Sequence, residues 1–128
     1  MTRLLIFMAF SFASLFACNQ TGKFTSMTVD EFADIIQDEN IQRVDVRTEP
    51  EYLDGHIPES INIDVKSNNF AILADSILDK NKPVALYCRS GVRSKKAAEI
   101  LSGKGYKVYE LNKGFLAWQG AGREMAKD

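Results

Sequence analysis

Tyr87-Cys88-Arg89-Ser90-Gly91-Val92-Arg93-Ser94 is the stretch on which the fold turns. Before it, Pro83-Val84-Ala85-Leu86-Tyr87 is a short apolar run with the length and β-branched content of a buried strand. After it, Ala97, Ala98, Ile100 and Leu101 recur at helical spacing, and Gly103 supplies a stop signal. The order is strand, short loop, helix, with a cysteine at the strand's end. In an open parallel sheet that is where ligands bind.

This setting gives the cysteine a chemistry. Thiolate is the reactive form, and helix N-termini and nearby arginines lower a thiol's pKa from its usual ~8.5. Cys88 has both within reach. The backbone amides of Arg89, Ser90, Gly91, Val92, Arg93 and Ser94 can curl round an anion, and Arg89 and Arg93 add charge. An anionic substrate such as thiosulfate, or a sulfur carried on the cysteine, suits such a cradle. The competing account is an inert buried cysteine. The flanking Arg-x-Gly-x-Arg favours the reactive thiol.

At these residues, and at Asp45-Val46-Arg47 and Gly55-His56-Ile57-Pro58 upstream, the chain resembles the rhodanese family. The resemblance runs from about Phe24 to about Gly122. It implies a single-domain sulfurtransferase that loads a sulfane sulfur from a donor onto Cys88 as a persulfide. The sulfur then passes to an acceptor such as cyanide or a thiol, with no cofactor. The family also holds phosphatase-like proteins with a longer loop, Cys-x5-Arg. Here Arg93 follows Cys88 after four residues, which is the sulfurtransferase length and tight for a tetrahedral phosphate. A non-catalytic module that binds sulfur or an oxyanion is the alternative, and a phosphatase or arsenate reductase the lesser one.

The rest of the chain reads as alternating strands and helices. Thr28 and Glu31 fit a capping box, ahead of a helix with Phe32, Ile35 and Ile36 on its apolar face. Residues 41–46, 60–63 and 107–111 read as strands. Glu49-Pro50-Glu51 opens a short helix that Gly55 stops, residues 69–79 form another helix, and residues 114–119 close the chain with a third. The expectation is one α/β domain, a mostly parallel sheet of about five strands with helices on both faces.

Other conspicuous residues read as structural. Asp45 and Arg47 fit a buried pair that holds loops, and His56 a loop brace. Phe115 and Trp118 suit core packing, and Lys95 and Lys96 a solvated helix face. Lys113-Gly114 stands where the family shows paired glycines. One histidine and two cysteines without close spacing give no zinc site.

The N-terminus sets the compartment. Arg3 precedes an apolar run from Leu4 to Ala17, broken only by Ser11 and Ser14. That length suits a signal peptide better than a membrane span. Leu15-Phe16-Ala17-Cys18 resembles a bacterial lipobox, which implies a lipidated Cys18 and a membrane anchor; Phe16 departs from the small residue usual there, and ordinary cleavage near Ala17 is the alternative. Residues 1–17 are then a signal peptide, 18–23 a lipidated cysteine and flexible tether, 24–122 the domain and 123–128 a tail. The expected place is periplasmic or cell-surface, with the protein a lipid-anchored monomer. Lipidation leaves Cys88 without a disulfide partner, against the alternative of a Cys18–Cys88 bridge. Without the first seventeen residues, 15 basic stand against 17 acidic residues, since 16 less Arg3 is 15. Nothing in such a balance suggests a nucleic-acid surface, which would need a basic excess.

Overall fold

The computed structural model describes residues 23–127. The expected signal peptide, Cys18 and the expected tether as far as Gly22 lie outside the described residues. In chain order the strands are β1 (Thr25–Met27), β2 (Gln42–Asp45), β3 (Ile61–Asn62), β4 (Val84–Tyr87) and β5 (Val108–Leu111). The helices are α1 (Val29–Ile35), α2 (Glu49–Asp54), α3 (Phe70–Ile77), α4 (Val92–Gly103) and α5 (Gly114–Gly120).

The strands lie in the order β1-β5-β4-β2-β3, and every neighbouring pair is parallel. The expected five-stranded sheet is therefore what the chain builds. Its fifth member, β1, has three residues on an edge and no apolar alternation by which to be recognised. β4 sits in the middle, and all four of its side chains are buried. Val84 and Leu86 face one layer and Ala85 and Tyr87 the other, as period two requires.

The first layer packs Val44, Val84, Leu86 and Val108 against Phe70, Ala74, Ala97 and Leu101 of α3 and α4. The second packs Ala85, Tyr87 and Leu111 against Phe32, Phe115 and Trp118 of α1 and α5. Helices thus cover both faces. Each fully buried aliphatic or aromatic side chain contributes about 1.5–3 kcal/mol, so both faces are firmly held.

The local signals act as their chemistry dictates. The Glu31 amide donates to Thr28 Oγ1 at 3.2 Å and the Thr28 amide to Glu31 Oε1 at 3.0 Å, completing the first capping box. The helix stop is displaced from where the sequence suggests. Gly103 is still helical, and the chain turns at Gly105, whose φ is +100°. The Tyr106 amide reaches Leu101 O at 3.1 Å and the Gly105 amide reaches Ser102 O at 3.1 Å, which is a Schellman cap. The C-terminal segment folds back: the amides and carbonyls of His56 and Ala126 exchange two 2.8 Å hydrogen bonds.

Candidate active site

Three parallel strands end together, and Cys88 follows the central one directly. Its thiol is 1% exposed. The loop from Arg89 to Gly91 folds over it so that the Gly91 amide donates to Sγ at 3.1 Å. Ser94 Oγ, in the first turn of α4, lies 3.5 Å from Sγ.

Two glycines allow this curl. Gly91 has φ +109°, and a Cβ there would sit 2.1 Å from the Asn112 carbonyl oxygen. Gly114 has φ +69°, and a Cβ there would sit 2.4 Å from the Arg89 carbonyl oxygen. That close approach has a purpose. The amides of Phe115 and Leu116, at the start of α5, donate to the carbonyls of Cys88 and Arg89 at 2.8 and 3.1 Å. The loop's carbonyls are thereby occupied, leaving its amides for the sulfur. Lys113 has φ −102°, so only the second residue of the family's glycine pair needs to be glycine here.

Burial pushes the thiol's pKa up. Opposing it are the Ser94 hydroxyl, when its proton faces the sulfur, and the amides of Ser94, Gly91 and Ser90. With that hydroxyl turned to the sulfur, these donors together hold the thiol below its ordinary range. The expected ring of amides thus includes Ser90, Gly91 and Ser94. Val92 stands 78% exposed on the outer side. Arg89 lines a cleft of about 230 Å³ with Arg47, Glu51, Phe115, Leu116 and Gln119. Arg93 points to a carboxylate: its Nη1 and Nη2 donate to Glu51 Oε1 and Oε2 at 2.8 and 3.0 Å.

The residues read as structural behave so. Arg47 Nη2 donates to Asp45 Oδ2 at 2.7 Å and to the Gly55 carbonyl at 2.6 Å, and its guanidinium lies 4.5 Å from the Phe115 ring centroid. His56 Nδ1 is 2.8 Å from Tyr52 O, and the two rings stack with centroids 3.7 Å apart. Phe115 and Trp118 are buried.

Lys95 keeps a side chain 41% exposed, as a helix-face lysine should, but is also held at its tip. Its ammonium reaches back to Glu110 Oε2 at 3.1 Å and Asn112 Oδ1 at 2.8 Å, because Glu110 is a buried carboxylate beside it. Glu110 itself went unnoticed in the sequence. The signal was there: it lies two residues after Val108, hence on the inward face of β5.

A family model described as "Rhodanese-like domain" matches residues 28–121. The chain belongs to the rhodanese-like domain family. Among relatives, "Thiosulfate sulfurtransferase GlpE" of Pseudomonas savastanoi pv. phaseolicola is 34% identical over 92 residues, 70% of this chain and 82% of that one. A "tRNA uridine(34) hydroxylase" of Buchnera aphidicola is 33% identical over 90 residues, 66% of this chain but only 28% of that protein. The crystal structure of a rhodanese-related protein from Thermoplasma volcanium superposes with TM-score 0.72 at 27% identity, covering 82% of this chain and all of that one. The rhodanese-like domain thus recurs both alone and as a part of longer proteins. Relatives named sulfurtransferase support rhodanese-type sulfur transfer in general.

Proposed function

We propose that this rhodanese-like protein is an exported thiosulfate-type sulfurtransferase in which Cys88 carries the sulfur. The Cys88 thiolate attacks the sulfane sulfur of the donor, forming an S–S bond. The donor's own S–S pair of electrons leaves with sulfite. The outer persulfide sulfur holds the negative charge, and the loop amides stabilise it. Cyanide or a thiolate then attacks that outer sulfur and releases Cys88 as thiolate, ready for another cycle. Each half is an exchange at sulfur and needs no redox cofactor.

The observation that carries this reading is the Gly91 amide donating at 3.1 Å to a buried sulfur at the end of the central strand. The GlpE relative supports thiosulfate as donor. The six-residue span from Cys88 to Arg93 weighs against phosphate-ester chemistry. The apolar run before Cys18 supports export and a lipid anchor.

Incubating the reduced protein with thiosulfate and then cyanide should yield thiocyanate, and Cys88→Ser should abolish it with the fold intact. Appreciable turnover by Cys88→Ser would overturn the assignment, and no turnover by the folded wild type would favour a sulfur-binding module. Intact mass of the protein from its native host tests the anchor: acyl mass on an N-terminal Cys18 is expected, and an unmodified residue there would refute it.

A further inference from the structure

Glu110 is fully buried on β5 and plays no part in the sulfur exchange above. Its Oε1 accepts from Ser26 Oγ of β1 at 2.6 Å. Its Oε2 accepts from Ser94 Oγ at 2.5 Å and from Lys95 Nζ at 3.1 Å, both on α4. Lys95 is held in turn by Asn112, which follows β5. Among the described residues, Lys95 is the cation within salt-bridge reach of Glu110. One hydroxyl, that of Ser94, separates this carboxylate from Cys88 Sγ.

A serine hydroxyl has one proton to donate. The carboxylate at 2.5 Å and the sulfur at 3.5 Å compete for it, and the nearer, charged acceptor wins. Ser94 Oγ is then left as an acceptor, which suits the protonated thiol and not the thiolate.

We propose that Glu110 restrains the reactivity of Cys88 by holding the Ser94 hydroxyl away from the sulfur and by standing as a second negative charge behind it. The inference rests on Cys88 being the nucleophile. Glu110 is a positioning residue, and Lys95 limits its effect. Removing the carboxylate's charge frees the hydroxyl for the thiolate and leaves Lys95 unopposed. Both changes make the thiol more acidic.

The rate of iodoacetamide alkylation at Cys88, read by mass spectrometry of its peptide from the full chain between pH 5 and 10, tests this directly. Glu110→Gln should lower the pH midpoint by about one unit, as loss of a nearby like charge does. In a Ser94→Ala background the same change should shift it by less than about half as much, because the shared hydroxyl is gone. A midpoint that stays or rises in Glu110→Gln overturns the proposal. Should Glu110→Gln fail to fold, Ser94→Ala alone decides: a midpoint moved by less than about 0.3 is expected from a hydroxyl already withheld. A rise of about one unit or more would show that Ser94 serves the sulfur and not Glu110. A wild-type Cys88 unreactive at every pH would instead sink the nucleophile assignment itself.

Discussion

Glu51 grips Arg93 with both carboxylate oxygens, at 2.8 and 3.0 Å, and so ties α2 to the first turn of α4. The same Oε1 accepts from the Thr48 amide at 3.0 Å and from Thr48 Oγ1 at 2.9 Å. One side chain therefore caps a helix and neutralises the arginine that the sequence marks for donor binding. Arg93 also responds to the charge of Cys88, which raises its pKa behind the larger effect of Glu51. A dianionic donor must compete with Glu51 for it.

Replacing Glu51 by Gln keeps an oxygen for the Thr48 amide and removes the competing charge. The thiosulfate concentration needed for half-maximal turnover should fall by about threefold or more, with the maximal rate little changed, because freed guanidinium pairs bind oxyanions strongly. Arg93→Ala should raise it. Steady-state kinetics across thiosulfate concentration reads both. An unchanged KM in both variants would mean that Arg93 serves only to join α2 to α4.

The Glu51–Arg93 pair also predicts a pH dependence of stability. Chiefly through the Arg93 hydrogen bond, with burial opposing and Thr48 assisting, the Glu51 pKa falls from 4.5 to about 2. A depressed folded-state pKa means the unfolded chain binds the proton more readily on acidification. The stabilisation is present above pH 4.5 and lost as pH falls toward 2. Thermal melts of wild type and Glu51→Gln should differ by a constant gap from pH 5 to 8 that closes below pH 4.5. A gap that widens in acid would contradict this ion-pair assignment.

How far the sequence could be read depended on whether a residue's role is local. β4 and its cysteine were legible because an apolar run bounded by turn residues has few alternatives, and Thr28 with Glu31 because a capping box is contained in four residues. The Glu51–Arg93 and Glu110–Ser94 contacts were not, since each joins elements separated by 42 and 16 positions. No periodicity carries that information. The edge strand β1 was invisible for another reason: its pairing is set by β5, and its own three residues state no preference.

The tight loop makes an asymmetric prediction for two neighbouring contacts. Gly91→Ala places a methyl 2.1 Å from the Asn112 carbonyl in a conformation with φ +109°. It should cost roughly 2 kcal/mol or more and remove most sulfur transfer, because strain and clash add. Lys113→Gly, at an ordinary φ, should cost less than about 1 kcal/mol and leave transfer intact. Chemical denaturation with a parallel thiocyanate assay separates them; equal losses would mean that the Gly91 contact with Asn112 does not shape the loop.

Tyr87, one residue before the cysteine, points to the opposite face and ties the sheet to the Gly55–Ser60 loop. Its phenol oxygen accepts from the buried Ile57 amide at 3.0 Å and lies 2.9 Å from Ser60 Oγ. Burial, and next the nearby Asp45, raise its pKa above the usual phenol range, so it stays protonated and able both to accept and to donate. Tyr87→Phe keeps the ring against Phe32 and Phe115 but strands the Ile57 amide without its partner. Leaving a buried donor unsatisfied costs about 1–3 kcal/mol, so the variant should lose that much in urea denaturation. Sulfur transfer at 25 °C should survive, because none of these contacts touches Cys88. A collapse of activity with stability unchanged would place Tyr87 in the chemistry and not in the scaffold.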